Sequence, residues 1–206
     1  MTTTPEVPPA PSAVRLLRAA DRAASPWKNG GGVTREIAAS PAGAGLDDFA
    51  WRISLADVGE GGPFSVFAGV DRVITVVEGA GMELTVDGRS EPMAGRGRPF
   101  AFPGDADTSC RLLDGPIRDF NVMTRRGRVA AEVEIVREDR ELPPVGDRLT
   151  LLLLVLEGRL RLGTALLDRY DAALVRGTGV AVTTSVEFIG GTGAAALVAL
   201  RDISRP

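Results

Sequence analysis

Apolar and polar residues alternate with a period of two along most of this chain, and no stretch sustains the spacing of an amphipathic helix. Successive side chains of a strand point to opposite faces, so such alternation marks a half-buried sheet. FAWRISLADV sets Trp51, Ile53 and Leu55 on one face against Arg52 and Ser54 on the other. RDFNVMT sets Phe120 and Val122 against Asp119, Asn121 and Met123. MELTVDGR ends in Asp87-Gly88, a pair suited to a two-residue hairpin turn because both positions need positive φ. DRVITVVEG is an apolar strand closed by a glycine turn, and VAAEVEIVRED alternates again. With 25 glycines and 14 prolines punctuating 206 residues, the prediction is an all-β sandwich or barrel.

Composition narrows the function classes. The net charge is −3 and no basic tract stands out, which argues against nucleic-acid binding. RRGR at 125–128 reads as a solvated turn. The longest strongly apolar run, around Leu151–Leu156, is too short to span a bilayer, so no membrane partner is expected. MTTTPEVPPAPSA has neither a basic nor an apolar leader region and reads as a disordered tail, residues 1–13, of a cytoplasmic protein. The single cysteine, Cys110, excludes a disulfide framework within one chain and reads as a packed thiol. The chain has no histidine at all. That removes the usual neutral-pH base and the commonest transition-metal ligand, so no transition metal or other cofactor is expected, with carboxylate-only binding of a hard cation such as Mg²⁺ left open.

A repeat divides the chain. VITVVEGAGMELTVDG and LLLLVLEGRLRLGT share an apolar strand, Glu-Gly and a second alternating strand, with Glu78-Gly79 and Glu157-Gly158 as the shared marks. REDRELPPVGD lies between them. The expectation is two halves from a duplicated unit, 14–128 and 129–206, with strand exchange between them left open. Both tryptophans and all phenylalanines but Phe188 lie in the first half. A ligand pocket combines aromatic walls with a few placed polar groups, so the first half is expected to carry the site and the second to act mainly as scaffold.

One stretch stands apart. PWKNGGGVTREI carries Lys28, the only lysine among 24 basic residues, between Trp27 and Asn29, ahead of Gly30, Gly31 and Gly32. Glycines let main-chain amides approach an anion closely, and lysine is a compact point charge where arginine is a broad fork. The alternative is a sharp turn between strands with Lys28 in solvent. Thr34 and Glu36 share one face of the following strand, and Arg35 the other. Arg35 reads equally as a carboxylate clamp or as one half of an ion pair with a neighbouring strand.

Strand-VVEG-strand resembles the cupin β-barrel, and two copies resemble a bicupin. PWKNGGGVTREIA, WRISLADV, GPFSVFAGVDRVITVVEG, FAFPGD and GPIRDFNVMTRR, in that order, resemble the HutD/Ves family of bicupin proteins. The resemblance implies two small jelly-roll barrels and an association with the regulation of histidine utilisation; it implies no firm enzymatic activity. Counting back from Gly79, the metal-binding positions of a cupin fall near Ser65, Phe67 and Arg72, with a last one near Thr108. None of these matches a transition-metal ligand, and Arg72 would repel a cation.

The expected site therefore gathers Trp27, Lys28, Asn29, Gly30, Gly31, Thr34, Arg35, Arg52, Arg72, Phe102 and Asn121 around a small carboxylate metabolite, with the resemblance pointing to urocanate or formylglutamate. The leading expectation is a non-enzymatic binding protein. A metal-free isomerase or hydrolase of a small acid is the alternative, with proton transfer falling to Glu36, Asp119, Lys28 or Tyr170. A third reading is an interaction module, for which LTLLLLVL either packs the halves together or forms a homodimer face.

Overall fold

The computed structural model describes residues 13–177 and 184–204. Nearly all of the predicted tail lies outside the described residues. From the N-terminus the strands are β1 (Val14–Leu17), β2 (Ser25–Pro26), β3 (Gly32–Ser40), β4 (Trp51–Val58), β5 (Gly62–Pro63) and β6 (Val70–Glu78). There follow β7 (Gly81–Val86), β8 (Arg89–Ala94), β9 (Phe100–Pro103), β10 (Thr108–Leu112) and β11 (Ile117–Arg125). The second half holds β12 (Val129–Val136), β13 (Arg140–Glu141), β14 (Leu149–Leu162), β15 (Ala165–Leu167), β16 (Ala172–Arg176) and β17 (Ser185–Asp202). The helical element among the described residues is one short turn, Ala19–Asp21. No described helix is long and apolar enough to cross a membrane.

Hydrogen bonding organises these strands into three sheets. A six-stranded sheet runs β2-β3-β4-β11-β6-β9, and a four-stranded sheet runs β5-β10-β7-β8. The seven-stranded sheet runs β1-β16-β14-β17-β12, with β13 beside β17 and β15 beside β14. The expected all-β class holds, but the described strands do not close into barrels; each half is built from open or folded-over sheets. Closure would need the six- and four-stranded sheets to bond along both shared edges, and their hydrogen-bonded paths stay separate. β1 crosses over and pairs with β16, Val14 opposite Val175 and Leu17 opposite Ala172.

Alternation explains the cores. Trp51, Ile53 and Leu55 of β4 join Phe120 and Val122 of β11 against Leu152, Leu154 and Leu156 of β14, forming the core between the halves. The opposite face of β14, with Leu151, Leu153 and Val155, packs inside the second half with Leu160, Leu162 and Phe188. Strand β14 is therefore apolar on both faces because both are covered, which accounts for the unbroken LTLLLLVL run. The interior of the first half holds Ile74, Val76, Met82, Leu84, Met93 and Phe102 between its two sheets. The glycines of the repeated Glu-Gly pairs both take positive φ, Gly79 just beyond the end of β6 and Gly158 at a bulge within β14. Gly79 has φ +89° and Gly158 φ +74°, and a Cβ at either would stand 2.6 Å from Pro116 O or 2.8 Å from Thr192 O. Asp87 and Gly88 form the predicted hairpin turn, with φ 46° and 76° and Val86 opposite Arg89.

Candidate functional site

The inner face of the six-stranded sheet carries a polar patch where its neighbours are apolar. In register across the sheet, Arg52 of β4 stands opposite Met123 of β11, which stands opposite Arg72 of β6. Ser54 pairs with Asn121, and Thr34, Ala56 and Asp119 align in the next row toward the glycine turn. Arg72, Asn121, Asp119 and Ser54 are all buried. Four of the predicted residues, Thr34, Arg52, Arg72 and Asn121, thus share one face because strand period two puts them there.

Arg72 is the centre of the patch. Its guanidinium carbon lies 5.0 Å from the Phe64 ring centroid, 5.7 Å from Phe67 and 5.1 Å from Phe102. Phe102 is its register partner on β9. Phe64 and Phe67 come from the loop between β5 and β6, pinned by Phe64 N to Thr108 O and Phe67 N to Gly104 O, both 2.8 Å. The ring faces carry partial negative charge and attract the cation. Arg72 donates one hydrogen bond, from Nη2 to Asn121 Oδ1 at 2.9 Å, while its buried Nε finds no acceptor. Asn121 in turn donates from Nδ2 to Asp119 Oδ1 at 3.0 Å. Burial lowers the Arg72 pKa to about 10, with Asp119 acting in the opposite direction. Burial likewise pushes the Asp119 carboxyl up to about 6, against the pull of Asn121 and Arg72. At neutral pH the guanidinium is still charged, and its charge partner lies one amide away.

Arg52 is differently placed. Its Nε donates to Glu36 Oε2 at 2.8 Å, and Glu36 is exposed, so this cation is already neutralised. Of the positions counted for a cupin metal, Phe67 and Arg72 meet, Ser65 is exposed, and Thr108 donates from its hydroxyl to Ala106 O at 3.1 Å. Sequence periodicity does not reach Phe64 and Phe67, because they sit on a loop; Asp119 was legible on the Asn121 face and as a candidate for proton transfer, but not as a member of the binding site.

The glycine stretch forms the turn between β2 and β3. Gly30 N donates to Trp27 O at 3.0 Å, and Gly31 N donates to Asn29 Oδ1 at 3.2 Å. These amides are therefore spent inside the turn, and the anion nest expected there does not form from them. A Cβ on Gly32 would meet the Trp27 ring at 2.9 Å and Asp57 O at 2.7 Å, so glycine is required for Trp27 to lie flat over the strand. Trp27 Nε1 donates to Thr34 Oγ1 at 2.8 Å. Lys28 is exposed and has no hydrogen-bond or ion-pair partner among the described residues. Trp27, Asn29, Gly31, Phe64 and Cys110 line a narrow space of about 50 Å³ there. Phe64 is thus shared between this opening and the Arg72 cage. Burial pushes the Cys110 thiol up, leaving it a weak nucleophile.

Arg35 lies on the other face of β3 and pairs with Asp57, which also receives Arg118 Nε. Burial alone would raise the Asp57 pKa, but hydrogen bonds from Arg118 and Arg35 bring it below the ordinary carboxylate value. Of its two readings, Arg35 is the ion-pair member. The network extends across the halves: Arg118 and Arg169 flank the Tyr170 ring at 4.9 and 4.7 Å, and the Tyr170 hydroxyl donates to Glu78. A cleft of about 400 Å³ opens beside it, lined by Gly30–Gly32, Asp57, Glu78, Gly79 and Arg118. At the opposite end, Arg126 of the RRGR turn forks onto Asp105, which also accepts from Gly69 N at 3.3 Å. Asp105 and Arg126 therefore fasten two loops together.

The HutD family model matches residues 19–191. The chain is 49% identical over 123 residues to the uncharacterised 21.2 kDa protein of the hutC 3′ region of Pseudomonas putida, spanning 60% of this chain and 64% of that one. It is 39% identical over 148 residues to protein Ves of Citrobacter koseri, spanning 71% and 75% of the two chains. The structure of HutD from Pseudomonas fluorescens SBW25, in its formate condition, superposes with a TM-score of 0.81 at 40% identity, covering 92% of this chain and 98% of that one. The nickel(II) complex of the Escherichia coli pirin YhhW, a cupin-fold neighbour, superposes at 0.62 with 12% identity, covering 92% and 99%; that likeness speaks for the fold alone.

Proposed function

Given that the chain belongs to the HutD family, we propose that it serves histidine utilisation as a non-enzymatic binding protein for a small carboxylate metabolite, with Arg72 as the anchoring cation. The names of its relatives support the association with histidine utilisation. The observation that carries the carboxylate is the guanidinium itself. A charge buried away from water is costly unless an opposite charge is paired to it with good hydrogen bonds. Arg72 has three aromatic faces and one neutral amide as its direct partners, and an idle Nε. A carboxylate accepting a bidentate fork satisfies that deficit directly. Asn121 then orients the ligand, Ser54 lies beside Asn121, and Phe102 walls the site.

Entry runs past Trp27, Asn29 and Gly31 to Phe64. The space outside Phe64 is too small for a multi-carbon acid, so admission requires that ring to swing. Family resemblance nominates urocanate or formylglutamate as the ligand, and binding either would report or buffer the flux of the pathway. We also read the second half as scaffold from a duplicated unit, on the strength of the matching Gly79 and Gly158 bends. A second reading, a metal-free enzyme acting on a small acid, draws on Asp119, whose carboxyl burial pushes up to about 6.

Thermal melting against urocanate, formylglutamate, formate and unrelated carboxylates, beside a divalent-metal series, tests the proposal. A ligand at one hundred times its Kd stabilises by about 2.7 kcal/mol, roughly 5–10 °C for a chain of this size. The expected result is a selective shift with a pathway acid, lost in Arg72→Met, whose apolar side chain suits the cage. Flat melts with every acid, or a shift retained by Arg72→Met, would overturn it. Turnover of the acid, insensitive to chelator, would favour the enzyme reading.

A further inference from the structure

We propose that Asp119 sets the orientation of the Asn121 amide, so that a carboxylate bound by Arg72 enters the site together with one proton. The inference rests on Arg72 as the carboxylate anchor and adds the group that regulates it. In the ligand-free protein the chain of donors runs one way: Arg72 Nη2 to Asn121 Oδ1 at 2.9 Å, then Asn121 Nδ2 to Asp119 Oδ1 at 3.0 Å. An ionised carboxylate only accepts, so it compels the amide nitrogen to face it and turns the amide oxygen toward Arg72. That arrangement shows an incoming carboxylate an acceptor, which repels it.

Charge balance points the same way. The buried pair of Arg72 and Asp119 is neutral in sum. Adding an anionic ligand leaves two carboxylates to one guanidinium in a region of low dielectric, where like charges raise each other's pKa. The charged or titratable groups on the Asp119 side are Arg72 on β6, Arg52 on β4, which is paired with Glu36, and Cys110 on β10; Asp57 acts on it from the other face of the sheet. Asp57 is committed to Arg35 and Arg118, and the Cys110 thiol stays neutral. The rest of the interior contributes Met82, Leu84, Met93 and Phe102, none of which titrates. Asp119 is therefore the group that takes up the proton. Once protonated, its O–H donates to Asn121 Oδ1; the amide turns over, and Nδ2 is presented to the ligand while Arg72 donates to the ligand's oxygens. The Asn121 amide is thus matched on both sides in either state, and the ligand supplies the acceptor that Arg72 Nε lacks in the free protein.

Calorimetric titration with formylglutamate, which has no group titrating near neutrality, tests this in two buffers of different ionisation heat. At about pH 7.5 wild-type protein should take up close to one proton per ligand, and affinity should fall roughly tenfold per pH unit from about pH 6.5 to about pH 8. Asp119→Asn, a shape match for the protonated carboxyl, should bind at about pH 8 as wild type does at about pH 5.5, with no buffer-dependent heat. A merely structural Asp119 would instead give a variant weakened equally at every pH. Binding by wild type without proton uptake overturns the coupling and leaves the Arg72 reading standing. No binding at either pH, in wild type or variant, overturns both.

Discussion

Raising the pH of the ligand-free protein from about 4.5 to about 7.5 should lower its stability by about 2 kcal/mol, and Asp119 should account for the loss. The chain has no histidine, so ordinary side chains titrate in this interval only at its acidic end, where carboxylates finish ionising. Burial pushes the Asp119 pKa from an ordinary 3.8 up to about 6, Asn121 and Arg72 opposing. The folded protein therefore binds this proton more tightly than the unfolded chain. Its stabilisation is complete below the unfolded value and is lost as pH rises through about 6. Asp57 and Asp171 are shifted the other way: burial opposes them, but hydrogen bonds from Arg118 and Arg35, and from Ala19 N and Arg18, prevail. Their stabilisation is present above the ordinary carboxylate value and disappears only on further acidification. Between about pH 4.5 and 7.5 the difference in proton binding integrates to about 1.4 pKa units, or about 2 kcal/mol. For a chain of this length that is a fall in Tm of about 4–8 °C. Urea unfolding or calorimetry over the pH series measures it directly. Asp119→Asn should give a flat profile in the same window. A wild-type profile that is flat, or one whose slope survives in Asp119→Asn, would refute the reasoning.

Three further outcomes follow from the packing. Thr75 is buried in the sheet facing the second half with a hydroxyl that has no partner; Thr75→Val should raise stability by about 1 kcal/mol by urea denaturation. Gly32→Ala drives a methyl into Asp57 O and the Trp27 ring, so it should cost about 1–3 kcal/mol and raise Trp27 solvent exposure, read by fluorescence quenching. Lys28→Ala should leave Tm within about 1–2 °C and carboxylate affinity within about threefold, because the side chain is exposed and unpartnered; a large loss of affinity would restore Lys28 to the site.

Much of this protein was legible in the sequence. Period-two alternation in β4 and β11 fixed which of their residues face the inter-half core and which face inward, but the register that sets Thr34, Arg52, Arg72 and Asn121 on one surface, and leaves Arg35 on the other, came from strand pairing. Asp87-Gly88 specified its hairpin because few other pairs accept two positive φ values in succession. The absence of histidine fixed the titration window. Local rules of this kind follow from covalent geometry and act within a few residues. What tertiary structure decided was which cation lacked a partner. Arg35, Arg52 and Arg72 are alike as letters. Asp57 and Glu36 reach the first two across neighbouring strands, whereas a loop folds Phe64 and Phe67 over the third. The same holds for Lys28, singular in the sequence and left in solvent by a turn whose amides satisfy one another. Whether a charge is neutralised depends on contacts between residues far apart in the chain, and that is information that spacing along one strand does not carry.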